Sequence, residues 1–203
     1  MFKQVKATWK TALEAYRQGY FPMAEPESGR IYWYAPDPRA ILPLDRFHVP
    51  RNLARLVRRG VFEVTFDRAF AAVVAACANR PQTWISRELQ AMYQGLYQQG
   101  YAHSVECWQD GQLVGGLFGV TIGGAFFGES MFHRVSEASK VALVHLVAHL
   151  RRQGFQLLDI QFLTPHFRQF GAEEIPRAVF ERLLACAVAL PVCWDPNVRN
   201  LLS

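Results

Sequence analysis

The middle of the chain alternates strand-like runs with turn residues, and this succession limits the possible folds more than any other feature. Two runs with strand periodicity flank Asp110-Gly111, a dipeptide typical of a two-residue hairpin turn. A second turn at Gly123-Gly124 leads into a third run. A helical pattern follows over 137–153, and another strand-like run comes after it. The sequence therefore predicts an antiparallel meander, then a long helix, then one further strand.

The flanking segments add helices on both sides of this unit. Prolines, glycines and aromatic residues between 21 and 38 preclude a regular helix there and predict an ordered loop packed on the main domain. The order of elements indicates an α+β plan with a mixed sheet. We predict helices at 5–20, 51–59, 67–78, 86–99, 137–153 and 176–190, and strands at 41–47, 62–66, 102–109, 112–121, 125–129 and 155–162.

Polar residues interrupt segments that otherwise have the pattern of a protein interior. Asp159 lies in the apolar run 155–162, where an unpaired carboxylate costs several kcal/mol. Side chains two apart on a strand share a face, so Asp159 and Gln161 are expected to point the same way while Ile160 points to the other side. The pattern predicts a carboxylate and an amide that point together into one site.

The charge balance is basic, with a net charge of +5. Four arginines lie close together on one short predicted helix: Arg51, Arg55, Arg58 and Arg59. Such a stripe suits an anionic partner such as RNA, and it is equally typical of a solvated helix face. Charge alone leaves both interpretations open.

Three features of the sequence predict a soluble protein of the cytoplasm. The four cysteines show neither a CxxC pair nor the spacing of metal ligands, which suits reduced thiols. The first residues lack the apolar core of a signal peptide. The longest apolar run, 183–192, is about half the length of a membrane span.

Other catalytic or metal-binding patterns are weaker. His145 and His149 share a helix face, but no third ligand accompanies them, so a half-buried pair is the simpler interpretation. Ser130 lacks the second glycine of a nucleophile elbow. The strand glycines are followed by no Lys-Ser/Thr and do not form a phosphate loop.

Nine segments in register resemble the bacterial leucyl/phenylalanyl-tRNA–protein transferases. The resemblance runs in order from Ala15 to Arg177, most of the chain. The segments are AYRQGYFP at 15–22, YAPDPR at 34–39, TWI at 83–85, AHSVE at 102–106, LVGG at 113–116, GESMF at 128–132, ASK at 138–140, DIQ at 159–161 and FGAEEIPR at 170–177.

The resemblance implies a fold and a reaction. It implies a GNAT-like acyltransferase fold, with a small N-terminal domain over 1–38 and a catalytic domain over 39–203. It implies transfer of leucine or phenylalanine from aminoacyl-tRNA to proteins that begin with Arg or Lys, which marks those proteins for degradation. It implies neither a cofactor nor a metal, because the ester to tRNA is already activated.

The resemblance also implies roles for particular residues. It assigns Asp159 to orienting the incoming amine and Gln161 to contacting the amine or the developing oxyanion; glutamine is a poor base, so positioning is the role we expect. Glu129 is the third polar candidate, for the acceptor's basic side chain or for the terminal ribose. The arginine stripe would hold the tRNA backbone. The amino-acid pocket is expected to be lined by Trp84, Leu117, Phe126, Leu146 and Leu158.

Two departures from the family pattern concern the donor. The family commonly has Trp after Phe-Pro, near the aminoacyl-adenosine, where this chain has Met23; of the usual Trp-Trp pair only Trp33 is present, followed by Tyr34. Donor preference among leucine, phenylalanine and methionine stays open, because a pocket discriminates one methylene by only about 10- to 200-fold. The alternatives are an acyl-CoA-dependent N-acyltransferase of the same fold and a non-enzymatic RNA-binding module.

Overall fold

The computed structural model describes residues 6–197. Its helices are α1 Trp9–Arg17, α2 Arg51–Arg58, α3 Phe70–Ala78, α4 Arg87–Gln98, α5 Ala138–Gln153, α6 Pro165–Arg168 and α7 Arg177–Val188. Its strands are β1 Phe21–Ala24, β2 Ile31–Tyr34, β3 Arg39–Ile41, β4 Glu63–Phe66, β5 Ala102–Gln109, β6 Gln112–Ile122, β7 Ala125–His133, β8 Leu157–Gln161 and β9 Glu173–Ile175.

Seven strands form one mixed sheet in the order β4-β5-β6-β7-β8-β3-β9. All neighbours are antiparallel except β7 and β8, which run parallel and are connected by α5. The predicted α+β plan with a mixed sheet is confirmed, as is the predicted succession of meander, long helix and one further strand. The parallel pair lies in the middle of the sheet, where both faces are covered.

The sheet separates two apolar cores. One face packs against α1, α3, α4 and α7, and the other packs mainly against α5 and α2. Leu157 and Leu158 are neighbours on β8 but belong to different cores, as the alternation of a strand requires. A strand buried on both faces explains why 155–162 is almost wholly apolar.

Several element ends differ from the prediction. The helix predicted from residue 67 begins at Phe70: Asp67 has a positive φ of 58°, and its carboxylate accepts from the backbone N–H of Ser104. The helix predicted from residue 137 begins at Ala138, because Glu137 is in the left-handed conformation. The strand expected over 41–47 lies at Arg39–Ile41, where it pairs with β8 and β9. The start of the first helix at Val5 falls outside the described residues.

The segment 21–38 is more regular than the loop predicted for it. β1 and β2 form a two-stranded antiparallel ribbon, with Met23 opposite Tyr32. Tyr16 and Phe21 join the same apolar core as Phe127 of the main sheet. The ribbon is therefore packed on the main domain as expected, and the domain division at residue 38 stays a prediction. Within residues 6–197, no helix has both the length and the apolar character needed to cross a membrane.

Two glycines that face each other across β6 and β7 offer a matched test of the packing. Gly119 lies opposite Gly128. A Cβ on Gly119 would lie 2.3 Å from the Phe126 ring and 2.4 Å from the Phe127 carbonyl oxygen, whereas one on Gly128 would meet its nearest neighbour at 3.5 Å. We expect Gly119→Ala to lower the free energy of unfolding by about 2 kcal/mol or more and Gly128→Ala by less than about 1 kcal/mol, measured by urea denaturation. Equal losses would contradict this packing.

Candidate active site

A cavity opens where the parallel strands β7 and β8 separate. Their pairing ends with Phe127 opposite Asp159. Beyond this point β8 stops at Gln161, while β7 continues to His133. The gap holds a cavity of about 210 Å³ with walls from both cores. The site is thus a consequence of the sheet topology, at the only parallel step between strands of the described residues.

Most of the cavity wall is apolar. Four of the five residues predicted for an amino-acid pocket lie in it, namely Trp84, Leu117, Leu146 and Leu158. The prediction is wrong for Phe126, which is fully buried below the cavity with its ring 5.8 Å from that of Trp194. The sequence reasoning missed several lining residues: Arg80, Phe118, Met131, Leu143, Ile160 and Phe167.

Two of these omissions could have been found by periodicity. Leu143 lies one helical turn before Leu146 on α5, and Ile160 lies two residues after Leu158 on β8. Each therefore shares a face with a residue that was predicted. Arg80 and Phe167 gave no such signal, because Arg80 lies in a connection and Phe167 in the four-residue helix α6, and the positions of both depend on tertiary packing.

A bulge in β7 presents Glu129 to the cavity. Gly119 pairs with Gly128 and Phe118 pairs with Ser130, so Glu129 is the extra residue of β7. A bulge of this kind redirects a side chain relative to the regular alternation of the strand. Glu129 lines the cavity as a partly exposed carboxylate in a mainly apolar wall.

Two buried tyrosines hold the Glu129 carboxylate. Tyr16 donates to Oε1 and Tyr93 donates to Oε2, each at 2.7 Å. Burial and, to a smaller extent, the Asp159 charge raise the pKa of Glu129 to about 7, although the two tyrosine hydroxyls and Arg39 oppose the rise. The carboxyl group can therefore gain or lose a proton near neutral pH.

Gln161 lies across the same cavity with an amide that lacks a partner. Its φ of 58° is in the left-handed region, so the side chain departs from the regular alternation at the end of β8. The side chain is buried, and Nε2 has no hydrogen-bond partner among the described residues. A buried unsatisfied donor costs about 1–3 kcal/mol, and a ligand oxygen would remove that cost.

Asp159 does not line the cavity, contrary to the expectation that it shares a face with Gln161. It is 0% exposed and lies on the opposite side of β8. Its Oδ1 accepts from Arg39 Nε at 2.9 Å and its Oδ2 from Arg39 Nη2 at 2.6 Å. Oδ1 also accepts the backbone N–H of Gln161 at 3.0 Å. The carboxylate therefore fixes the backbone that carries the amide.

Arg39 connects this carboxylate to the N-terminal segment. Its Nη1 donates to the carbonyl oxygen of Gly19 at 2.9 Å. The guanidinium lies 4.8 Å from the ring centre of Phe21 and 4.6 Å from that of Phe180. Arg39 is only 1% exposed, so all three contacts form away from water.

The remaining predicted residues lie apart from this cavity. Met23 is half-buried in β1, and Trp33 lines a separate cavity of about 500 Å³ beside Tyr20, Tyr34 and Arg177. The β1 backbone reaches Trp84, since the Ala24 N–H donates to the Trp84 carbonyl oxygen at 3.0 Å. Neither Met23 nor Trp33 is brought into contact with Glu129 or Gln161.

The arginine stripe lies on the outer surface of α2. The side chains of Arg51, Arg55, Arg58 and Arg59 are all exposed, and within residues 6–197 none of them forms an ion pair. Leu53 anchors the helix in the core on the other side. The stripe is available for an anionic partner.

Comparison with known proteins gives a consistent result along the chain. Residues 41–185 match the family model described as leucyl/phenylalanyl-tRNA protein transferase, and residues 8–37 match the model of that family's N-terminal domain. Three proteins with the name leucyl/phenylalanyl-tRNA–protein transferase are similar to it. The one from Salinibacter ruber is 56% identical over 91% of this chain and 81% of its own length. The one from Gloeobacter violaceus is 55% identical over 92% and 97%. The one from Herpetosiphon aurantiacus is 58% identical over 85% and 90%.

The buried ion pair can be tested by a double-variant cycle. We expect Arg39→Met to lower the free energy of unfolding by about 3–5 kcal/mol, because it leaves the Asp159 charge buried without a partner. We expect Arg39→Met combined with Asp159→Leu to lose less than the sum of the two single variants, because both charges are then absent. Chemical denaturation of the four proteins measures this difference. Additive losses would show that the two residues do not stabilise each other.

Proposed function

Because the chain belongs to the leucyl/phenylalanyl-tRNA–protein transferase family, we propose that it transfers leucine or phenylalanine from aminoacyl-tRNA to the N-terminal amine of proteins that begin with Arg or Lys. The family consists of aminoacyltransferases, and the reaction transfers the aminoacyl group of an activated ester to an amine. The cavity between β7 and β8 is the proposed reaction site.

The observation that carries this proposal is the pairing of two polar groups in one apolar cavity. The Gln161 amide has an unused donor, and the Glu129 carboxylate has a pKa near neutrality. Both groups line the same cavity. Transfer to an amine requires a donor for the ester carbonyl oxygen and an acceptor for the amine proton, and this pair supplies one of each.

The apolar wall suits the side chain of the transferred amino acid. Leu117, Leu143, Leu146 and Leu158 all contribute apolar side chains to the cavity wall. Leucine, phenylalanine and methionine differ by shape rather than polarity, so we expect graded rather than absolute preference. A charged amino acid would lose its hydration without gaining a partner there.

The acceptor amine is proposed to meet Glu129. An α-ammonium group has a pKa of about 8, so it must lose a proton before it can attack. A carboxylate with a pKa of about 7 can hold the ammonium and accept that proton. The amine nitrogen then bonds to the carbonyl carbon while the ester C–O bond breaks. The electron pair and a second amine proton leave with the ribose oxygen, and the first proton passes from Glu129 to solvent.

Gln161 and Asp159 have different proposed roles. Nε2 of Gln161 donates to the carbonyl oxygen as negative charge develops on it, which lowers the barrier because the donor is already in place. Asp159 contacts the Gln161 backbone rather than the cavity. Asp159 is therefore proposed as a positioning residue that keeps the amide directed at the ester.

The wider surface provides the proposed contacts to tRNA. Arg51, Arg55, Arg58 and Arg59 would bind phosphates, and such binding weakens as salt rises. Met23 and Trp33 would then influence the donor only through the ribbon that adjoins Trp84.

We place the reaction in the cytoplasm, where aminoacyl-tRNA is formed, and its products would be marked for degradation. The ester supplies the energy, so the proposed reaction uses neither a metal nor a cofactor.

A transfer assay tests the function directly. We expect labelled leucine and phenylalanine to pass from charged tRNA to peptides that begin with Arg or Lys and not to a peptide that begins with Ala. Gln161→Ala should lower kcat for this transfer by about 10²–10³, the usual effect of removing one oxyanion donor.

Gln156→Ala is the matched control for this variant. Gln156 precedes β8, and its exposed side chain is remote from the cavity, so its loss should leave kcat unchanged. Transfer to every peptide alike would contradict the acceptor rule. Transfer from acyl-CoA but not from charged tRNA would favour the alternative N-acyltransferase, and tRNA binding without any transfer would favour an RNA-binding module.

The pH dependence of transfer reports the state of Glu129. The carboxylate form is required, so kcat/KM should rise as pH increases through about 7. Tyr93 donates a hydrogen bond that favours the charged form, and such a bond contributes about 1.5 kcal/mol. Tyr93→Phe should therefore raise the pKa of Glu129 and move the acidic limb upward by about one pH unit.

Tyr97→Phe provides the control on the same helix. Tyr97 lies one turn after Tyr93, and its hydroxyl donates to the Asp67 carbonyl oxygen instead of Glu129. Removal of this hydroxyl should leave the acidic limb of the pH profile in place. The acceptor amine ionises in the same way with the wild-type protein and both variants, so it does not account for a difference between them. An unmoved limb in Tyr93→Phe would show that Glu129 does not control it.

A further inference from the structure

A second cavity adjoins the first on the side away from Glu129. It has a volume of about 540 Å³, and it shares Arg80, Met131 and Phe167 with the first cavity. Neither Glu129 nor Gln161 contributes to it. A substrate that reaches the reaction site can therefore extend into this space without passing the two polar groups that act on the ester.

The ionisable side chains that line the second cavity are all basic. Its lining contains Arg80, His133, Arg134 and His166, and no Asp or Glu side chain of the described residues lines it. Glu137 lies nearby, but it accepts from Lys140 at 2.8 Å. Cationic and neutral donors without a carboxylate form a setting for an anion.

Several donors in this cavity are unused. Nε2 of His166 is buried and has no hydrogen-bond partner among residues 6–197. Burial lowers the pKa of His166, and the Lys140 and His133 charges lower it further, while the Glu137 charge opposes them. In the tautomer of the neutral ring that carries its proton on Nε2, this nitrogen is a donor that an anion would satisfy. Arg134 uses Nη1 to donate to the Leu113 carbonyl oxygen at 3.1 Å, which leaves other guanidinium donors available.

One wall of the cavity packs against the segment that precedes the arginine stripe. The His166 ring lies 5.6 Å from the Phe170 ring, and the Phe170 carbonyl oxygen accepts the backbone N–H of His48 at 3.0 Å. α2 begins at Arg51, three residues further on. The cavity wall is therefore joined, through the buried Phe170, to the segment that leads into α2.

We infer that this second cavity binds the phosphodiester immediately 5′ of the terminal nucleoside of the donor tRNA. The inference rests on the proposed function, because it identifies which part of that donor enters the cavity. Phosphate contacts fix the register of a nucleic acid without reading its bases. The site would therefore align the ester with Gln161 for any tRNA that carries a suitable amino acid.

Two minimal donors test the inference. One is the phenylalanyl ester of adenosine, and the other is the same ester with a 5′-methyl phosphodiester, which adds one charge and no second base. We expect wild-type protein to favour the phosphodiester in kcat/KM by about tenfold, the effect of one charge-assisted hydrogen bond. Arg134→Gln and His166→Phe, on two sides of the cavity, should each remove most of this preference.

The control variant is Arg182→Gln. Arg182 is exposed on α7 and lines neither cavity, so its removal changes the net charge equally but should retain the tenfold ratio. Analogues of the two donors with an amide in place of the ester can be titrated by calorimetry. The ratio of their Kd values measures the same preference even where turnover is slow.

The outcomes separate the inference from the function. Equal use of both donors by wild-type protein would overturn the phosphate site and leave the transferase function intact. A donor ratio that Arg134→Gln does not change, together with a raised KM for acceptor peptides rich in Asp and Glu, would assign the cavity to the acceptor and also overturn the inference. No transfer even from charged tRNA would instead reject the proposed function.

Discussion

The ion pair between Arg39 and Asp159 holds three distant parts of the chain in one arrangement. Arg39 begins β3, Asp159 is central in β8, and the Gly19 carbonyl oxygen completes the guanidinium contacts. Each charge is buried and depends on the other, so the N-terminal segment and the middle of the sheet are fixed together. Because Asp159 also accepts the Gln161 N–H, the conformation at the end of β8 depends on the same pair.

The cavity combines two kinds of departure from regular sheet structure. A bulge turns Glu129 out of the alternation of β7, and a positive φ turns Gln161 out of that of β8. Such irregularities cluster at functional sites, where surrounding contacts hold them in place. Tyr16 and Tyr93 supply those contacts for Glu129, while Asp159 supplies them for Gln161. Both polar groups thus depend on residues outside the cavity for their direction.

These departures mark the limit of what the sequence could predict. The hairpin at Asp110-Gly111 and the end of α5 at Gly154 depend on local conformational preferences, so their patterns predicted them correctly. The prediction that Asp159 shares a face with Gln161 was wrong because the alternation rule assumes a regular strand up to Gln161. β3 was misplaced because so short a strand is defined by its partners and not by its own pattern. Glu129 was identified by resemblance, and no pattern revealed the bulge that exposes it.

Under the proposed function, the distribution of charge would give the two substrates different entrances. In the proposed reaction, the positively charged acceptor amine would be drawn to Glu129, the carboxylate that lines the first cavity and is opposite in charge to Arg80. The negatively charged nucleic-acid donor would be drawn to the second cavity, where Arg80, Arg134 and the histidines lie. Like charges would repel each substrate from the other's entrance. The apolar space between them is the one place where neither charge is stabilised, so it suits the neutral side chain that passes from donor to acceptor.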